Sequence, residues 1–105
     1  MALPKLVSVD QPGASPLSVS ARLRSQLVYF MADATAAGVP PLGENEYWFN
    51  RLEVAKWLDE GVFYLVSPLD TANMTEVELT EEQESFLQWL RDQRVQHVRL
   101  VEGKG

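Results

Sequence analysis

The chain has 105 residues, of which 46% are hydrophobic and 23% charged, as in a folded globular domain and unlike a disordered segment. It contains no cysteine, which excludes disulfides, thiolate nucleophiles, iron–sulfur clusters and cysteine-based zinc sites. Its formal net charge of −6, from 9 basic and 15 acidic residues, disfavours nucleic acid and anionic membranes as partners.

A short strand is predicted near the N-terminus. Residues Leu3 to Val9 are mostly apolar, and the run from Asp10 to Pro16 is rich in the residues that form turns. No apolar stretch here is continuous enough for a secretory signal, and none in the chain reaches the ~20 residues of a membrane span. We therefore expect a cytoplasmic protein.

The first helix is predicted over residues 17–37. Apolar side chains recur there at spacings of three and four, which places them on one helical face. Ser15 or Ser18 is expected to cap the start, and a glycine followed by two prolines is expected to end the helix. Val28 and Met31 lie off the main face, so the hydrophobic arc is wider than one contact with the core requires. The residues expected to face the core are Val19, Leu23, Leu27, Phe30 and Ala34.

A second helix is predicted to end at Gly61, and two residues compete for its start. Asn45 is one candidate cap. Asn50 is the other, because Glu53 follows it at the spacing of a capping box. If Asn50 is the cap, the aromatic residues 47–49 belong to a loop or a short strand. The core-facing set is predicted to be Trp48, Leu52, Ala55 and Leu58.

Two strands are predicted to follow. Val62–Val66 is an unbroken run of β-branched and aromatic residues, typical of a strand covered on both faces. Thr75–Leu79 alternates instead, so we expect Val77 and Leu79 inward and the glutamates outward. The polar segment Asp70–Asn73 between them fits a local turn or, with less support, a ligand site.

The clearest helix start in the chain is Thr80, which forms a capping-box pattern with Gln83. The first turn of this third helix is acidic, which suits the positive end of the helix dipole. Residues 96–101 then alternate as a closing strand, with Val98 and Leu100 expected to face the core.

The order β-α-α-β-β-α-β predicts an α+β fold for the whole chain. We expect one domain over residues 1–105, frayed at about 1–2 and 102–105, with a three- or four-stranded mixed sheet packed against helices. The last strand, helix and strand would form a right-handed crossover if the two strands are parallel.

Residue patterns that carry chemistry are missing from the sequence. His97 is the only histidine, and alternation places it on the side of its strand away from the core, as a surface residue or a pH-sensitive contact. Neither a nucleophile elbow, a zinc-binding H-E-x-x-H, a calcium-binding loop nor a phosphate-binding glycine loop occurs. We therefore expect no enzymatic activity, no cofactor and no metal site.

The best functional indication is a surplus of large apolar side chains. Tyr47, Trp48 and Phe49 are consecutive and must point in different directions, so at least one is expected to face solvent, a ligand or another subunit. Together with Val28 and Met31 they form the predicted binding surface. This surface predicts a non-enzymatic protein–protein interaction or regulatory module, acting as a homodimer or with another protein partner.

The acidic charge allows an alternative function. An inhibitor or immunity-type protein could cover the basic site of a partner protein with the glutamates between Glu76 and Glu84. A small-ligand domain or enzyme that uses the 70–73 loop has the least support, because no base, metal site or phosphate loop accompanies it.

Overall fold

Six strands and three α-helices make up the described part of the chain, which is residues 4–32, 38, 42–66 and 74–101 of a computed structural model. The helices are α1 (Ala21–Gln26), α2 (Arg51–Glu60) and α3 (Glu81–Asp92), and a 3-10 helix (Leu27–Tyr29) continues α1. The strands are β1 (Lys5–Ser8), β2 (Leu17–Ser18), β3 (Glu46–Trp48), β4 (Val62–Val66), β5 (Met74–Glu78) and β6 (His97–Val101).

The strands form two sheets, and the predicted α+β class is confirmed. The larger sheet has the order β2-β1-β6-β3, and β4 pairs with β5 in a separate two-stranded sheet. Every pairing among the described strands is antiparallel, so the predicted strand number is right for the larger sheet but the prediction of a mixed sheet is wrong. Because β5 and β6 lie in different sheets, the segment from β5 to β6 is not the parallel crossover considered above. The central strand β6 instead lies between β1 and β3.

The first helix is shorter than predicted and begins later. Leu17 and Ser18 form β2, whereas Ser20 caps α1 by accepting a hydrogen bond from the Leu23 backbone N–H at 3.1 Å. The prediction of Ser15 or Ser18 as the cap is therefore wrong. The predicted core face is nevertheless correct where the structure describes it, because Val19, Leu23, Leu27 and Phe30 are all fully buried. Ala34 and the two prolines, Pro40 and Pro41, lie outside the described residues.

The second helix begins at the later of the two candidate caps. The Asn50 side chain accepts hydrogen bonds from the backbone N–H groups of Leu52 at 2.9 Å and Glu53 at 3.3 Å. Gly61 ends α2 in the left-handed conformation, with a φ of 74°, as predicted. The predicted face is wrong for Leu52 and Ala55, which are exposed, and correct for Trp48, which is buried, and Leu58, which packs against the core. The helix packs against the core through Val54, Trp57 and Leu58.

Strand β4 is covered on one face and not on both. Phe63 is buried, but Tyr64, which points to the opposite side, is 41% exposed. An apolar run predicts a strand yet does not reveal how many layers cover it. The alternation in β5 is confirmed, since Val77 packs against the core and Glu76 and Glu78 are exposed. The loop segment Asp70–Asn73 lies outside the described residues, as do residues 1–3 and 102–105.

The third helix and the closing strand match their predictions. Thr80 and Gln83 form the capping box, with Thr80 Oγ1 accepting from the Gln83 N–H at 3.1 Å and Gln83 Oε1 accepting from the Thr80 N–H at 2.9 Å. Val98 and Leu100 are buried on the inner face of β6.

The core is organised around aromatic rings from different elements. The ring of Phe30 lies 5.2 Å from Trp57 of α2, 4.9 Å from Phe63 of β4 and 6.2 Å from Phe86 of α3, measured between centroids. Phe49 packs edge-on against Phe86 at 5.3 Å. Phe30, which directly follows the 3-10 helix, thereby anchors the end of that helix against α2, β4 and α3.

Candidate functional site

Two residues of the predicted binding surface, Val28 and Met31, are exposed on the 3-10 helix and just after it, and Tyr29, which was not predicted, is exposed between them. Val28 is 59% exposed, Tyr29 47% and Met31 36%. We call these three residues the Val28 patch. Leu27 and Phe30, which alternate with them along the chain, are fully buried. The exposure of Val28 and Met31 agrees with their predicted position off the core-facing side.

The Val28 patch is held in place at both ends. On one side the Tyr29 ring stacks on Phe63, with centroids 6.1 Å apart and planes 20° from parallel. On the other side the Ala32 N–H donates to the Trp48 carbonyl oxygen at 2.9 Å, which joins the residue after Met31 to β3. The patch is therefore a fixed surface, with little conformational freedom to lose on binding.

The three consecutive aromatics do not extend this surface. Trp48 and Phe49 are buried, and Tyr47 is half-buried against the core. Backbone pairing of β3 with β6 and the hydrogen bond from the Phe49 N–H to the Gln96 carbonyl at 2.8 Å hold the segment in the sheet, where Phe49 packs against Phe86 of the core. The segment is linked to the residue after the Val28 patch by the hydrogen bond from the Ala32 N–H to the Trp48 carbonyl. A role of any of these residues in binding stays a prediction.

The acidic run from Glu76 to Glu84 is divided between two environments. Glu76 and Glu78 are exposed on the outer face of β5, where Tyr64 lies opposite Glu76 in the strand register. Partial burial, the charges of Glu60 and Glu76, and hydrogen bonding to Glu76 raise the pKa of Tyr64 above its ordinary value. Glu82 is engaged within the molecule instead, because both the N–H and the hydroxyl of Ser20 donate to its carboxylate.

His97 has an acidic partner that sequence analysis did not identify. Its Nε2 atom lies 2.6 Å from Glu46 Oε1, and both side chains are partly buried. Glu46 and His97 are diagonal neighbours on β3 and β6, because Glu46 is paired with Arg99 and His97 with Trp48. The pair joins the edge strand β3 to the central strand β6.

A cleft between α2 and α3 was also missed. It has a volume of about 320 Å³ and contains Arg51 from the first turn of α2 and Arg91 and Arg94 from the end of α3. Arg91 lies in the last turn of α3 and Arg94 just beyond its end, close together in the chain, but nothing in the sequence pattern places Arg51 beside them. The other lining residues are Val54, Ala55, Leu90, Val95 and Gln96.

No protein family model matches this chain, and neither a curated protein nor a solved structure does. Among the helices in the described ranges, none is long and apolar enough to cross a membrane.

Proposed function

We propose that the protein is a non-enzymatic interaction module that forms a homodimer through the Val28 patch. The observation that carries this proposal is the exposure of three large apolar side chains, Val28, Tyr29 and Met31, within four consecutive residues. Full burial of an exposed apolar side chain contributes roughly 1.5–3 kcal/mol, and a symmetric contact covers the remaining exposed part of each of these side chains on both subunits.

The neutrality of the patch favours a second copy of the chain as its occupant. Residues 27–32 carry no charged side chain in a protein whose net charge is −6. A two-fold dimer places the same patch of both subunits in contact, which brings no like charges together when the patch is neutral. A strongly basic partner would find no carboxylate in this segment.

The alternative of an acidic inhibitor that binds a basic protein has weaker support. Glu82 already accepts two hydrogen bonds from Ser20, so the glutamates between 76 and 84 do not form one continuous free surface. Glu76 and Glu78 remain exposed on the hairpin. The alternative stays a prediction for that face of the molecule.

Substitution of Val28 by Asp tests the dimer. We expect the parent to have the mass of two chains by size exclusion with light scattering, and its melting temperature to rise with concentration, because only the folded state associates. Val28→Asp should give a folded monomer with an unchanged circular dichroism spectrum, since a desolvated charge opposes association.

Leu52→Asp is the matched control, because Leu52 is also an exposed apolar residue but lies on α2, away from the patch. It should leave the dimer intact. A parent that is monomeric at several hundred micromolar, or a Leu52→Asp variant that dissociates as readily as Val28→Asp, would exclude the Val28 patch as the dimer contact.

A further inference from the structure

We propose that the cleft between α2 and α3 binds a carboxylate carried on a short apolar body. Its ligand is a small organic acid, or the C-terminal residue of a peptide, which offers the same chemistry. This site is separate from the Val28 patch, and none of its lining residues belongs to that patch.

The charge of the cleft is opposite to that of the whole protein. Three of the 9 basic residues line it, whereas the chain has 15 acidic residues and the described lining contains none of them. Arg91 has a carboxylate neighbour, with its Nε 3.3 Å from Asp92 Oδ1. Neither Arg51 nor Arg94 forms an ion pair with any residue that the structure describes. The cleft thus brings together three basic side chains, two of them without an ion-pair partner among the described residues, and such a group attracts anions.

The floor of the cleft selects among anions. Val54, Leu90 and Val95 line it but are almost fully buried, so among its apolar residues Ala55, which is exposed, is the one that a ligand can cover most. Inorganic phosphate would leave this apolar surface uncovered, whereas an aliphatic or aromatic acid covers it and places a carboxylate near the arginines. Guanidinium groups bind carboxylates through two parallel hydrogen bonds. The volume of about 320 Å³ is at the lower end of the range for small-molecule sites, which limits the apolar body to one ring or a short chain.

The backbone conformation of Arg94 suits glycine better than arginine, so the geometry of the helix end does not by itself account for an arginine at this position. Arg94 has a φ of 57°, in the left-handed region that favours glycine. It occupies the glycine position of a Schellman motif, in which the Arg94 N–H donates to the Arg91 carbonyl at 3.2 Å and the Val95 N–H to the Leu90 carbonyl at 2.9 Å. Glycine would form this helix end with less strain. An arginine at this position presents a guanidinium beside the cleft, which glycine cannot do.

An NMR titration with 4-phenylbutyrate tests the proposal on the full chain, with 4-phenylbutanol as the uncharged match and inorganic phosphate as the anion without an apolar body. We expect saturable shifts at residues 51–55 and 90–96 with the acid. The alcohol and phosphate should each bind at least about tenfold more weakly, because each makes only one of the two kinds of contact. Equal binding of acid and alcohol, or acid-dependent shifts centred elsewhere, would overturn the proposal.

Arg94→Gly is the variant that separates binding from folding. It should keep or raise the melting temperature, because glycine suits the left-handed position, while it weakens 4-phenylbutyrate binding at least about fivefold. Arg22→Ala is the control, since it removes the same charge from an exposed arginine on α1. If both variants weaken binding equally, the effect is one of net charge and the cleft is not the site.

A second arm identifies the source of the carboxylate. Acetyl-Gly-Phe with a free C-terminus should shift the same resonances, and its C-terminal amide should not. Tighter binding of the peptide than of 4-phenylbutyrate assigns a peptide C-terminus as the ligand, and the reverse order assigns a small organic acid. A peptide acid and amide that bind alike would overturn carboxylate recognition.

Discussion

At its N-terminal end, helix α3 is joined to α1 by side-chain hydrogen bonds, whereas at its C-terminal end it presents arginines to an open cleft. Glu82 binds the cap of α1, and the buried Gln83 donates from Nε2 to Gln26 Oε1 at 3.0 Å. At the other end, Arg94 forms no ion pair with any described residue. Acidic and amide groups therefore serve the fold at one end, while basic groups remain available at the other. Net charge is a poor guide to function in such a chain, because part of the acidic surplus is structural.

Among substitutions at the two ends of α3, the largest change in stability is expected at Gln83, which is 2% exposed. Gln83→Ala should lower the free energy of unfolding by about 2–3 kcal/mol, because it leaves the Thr80 N–H and Gln26 Oε1 without partners and opens a small cavity. Urea denaturation measures this effect. The exposed Gln88→Ala on the same helix should change stability by less than about 0.5 kcal/mol. Equal effects of the two would mean that the junction of α1 and α3 is not held by Gln83.

A smaller loss is expected at Glu82. Glu82→Ala should lower the free energy of unfolding by about 1.5 kcal/mol, because the Ser20 N–H and hydroxyl lose a charged acceptor. Glu81→Ala removes an exposed carboxylate from the same turn and should cost only about 0.5 kcal/mol, through the helix dipole alone. Chemical denaturation of both variants gives the difference. A Glu82 variant no less stable than the Glu81 variant would show that Ser20 caps α1 without help from α3.

The smallest effect has the opposite sign and is expected at the C-terminal end. Arg94→Gly should raise the free energy of unfolding by about 0.5–1 kcal/mol, because it relieves the left-handed backbone. Arg94→Ala also removes the guanidinium but keeps a Cβ atom, so it should bring no such gain. Thermal denaturation of the pair isolates the backbone contribution. A clear loss of stability in Arg94→Gly would mean that the guanidinium supports the fold, and the two ends of α3 would then be alike.

Features of the sequence that are local in the fold were predicted well, and α3 is the clearest case. The capping box of Thr80 and Gln83 lies within one helical turn, so the pattern alone locates the helix start. The predicted cap of α1 was wrong for the opposite reason, because the correct cap depends on a contact between distant parts of the chain. Glu82, which is 62 residues away along the chain, accepts a hydrogen bond from Ser20 and so favours it as the cap. No local pattern distinguishes Ser20 from Ser18.

The same distinction applies to the candidate sites. The periodicity of the first helix correctly indicated that Val28 and Met31 are off the core-facing side. It did not reveal that Trp48 and Phe49 are buried, because their burial depends on pairing between β3 and β6. The cleft joins Arg51 to residues some forty positions later, which only the packing of α2 against α3 brings together.

The outermost strands of the four-stranded sheet are its shortest, with two residues in β2 and three in β3. An edge strand exposes unpaired backbone groups that can recruit a strand from another molecule and so begin aggregation. Edges this short offer few such groups, and the Ala32 N–H already occupies one carbonyl of β3. Continuous growth of this sheet from molecule to molecule is thereby disfavoured.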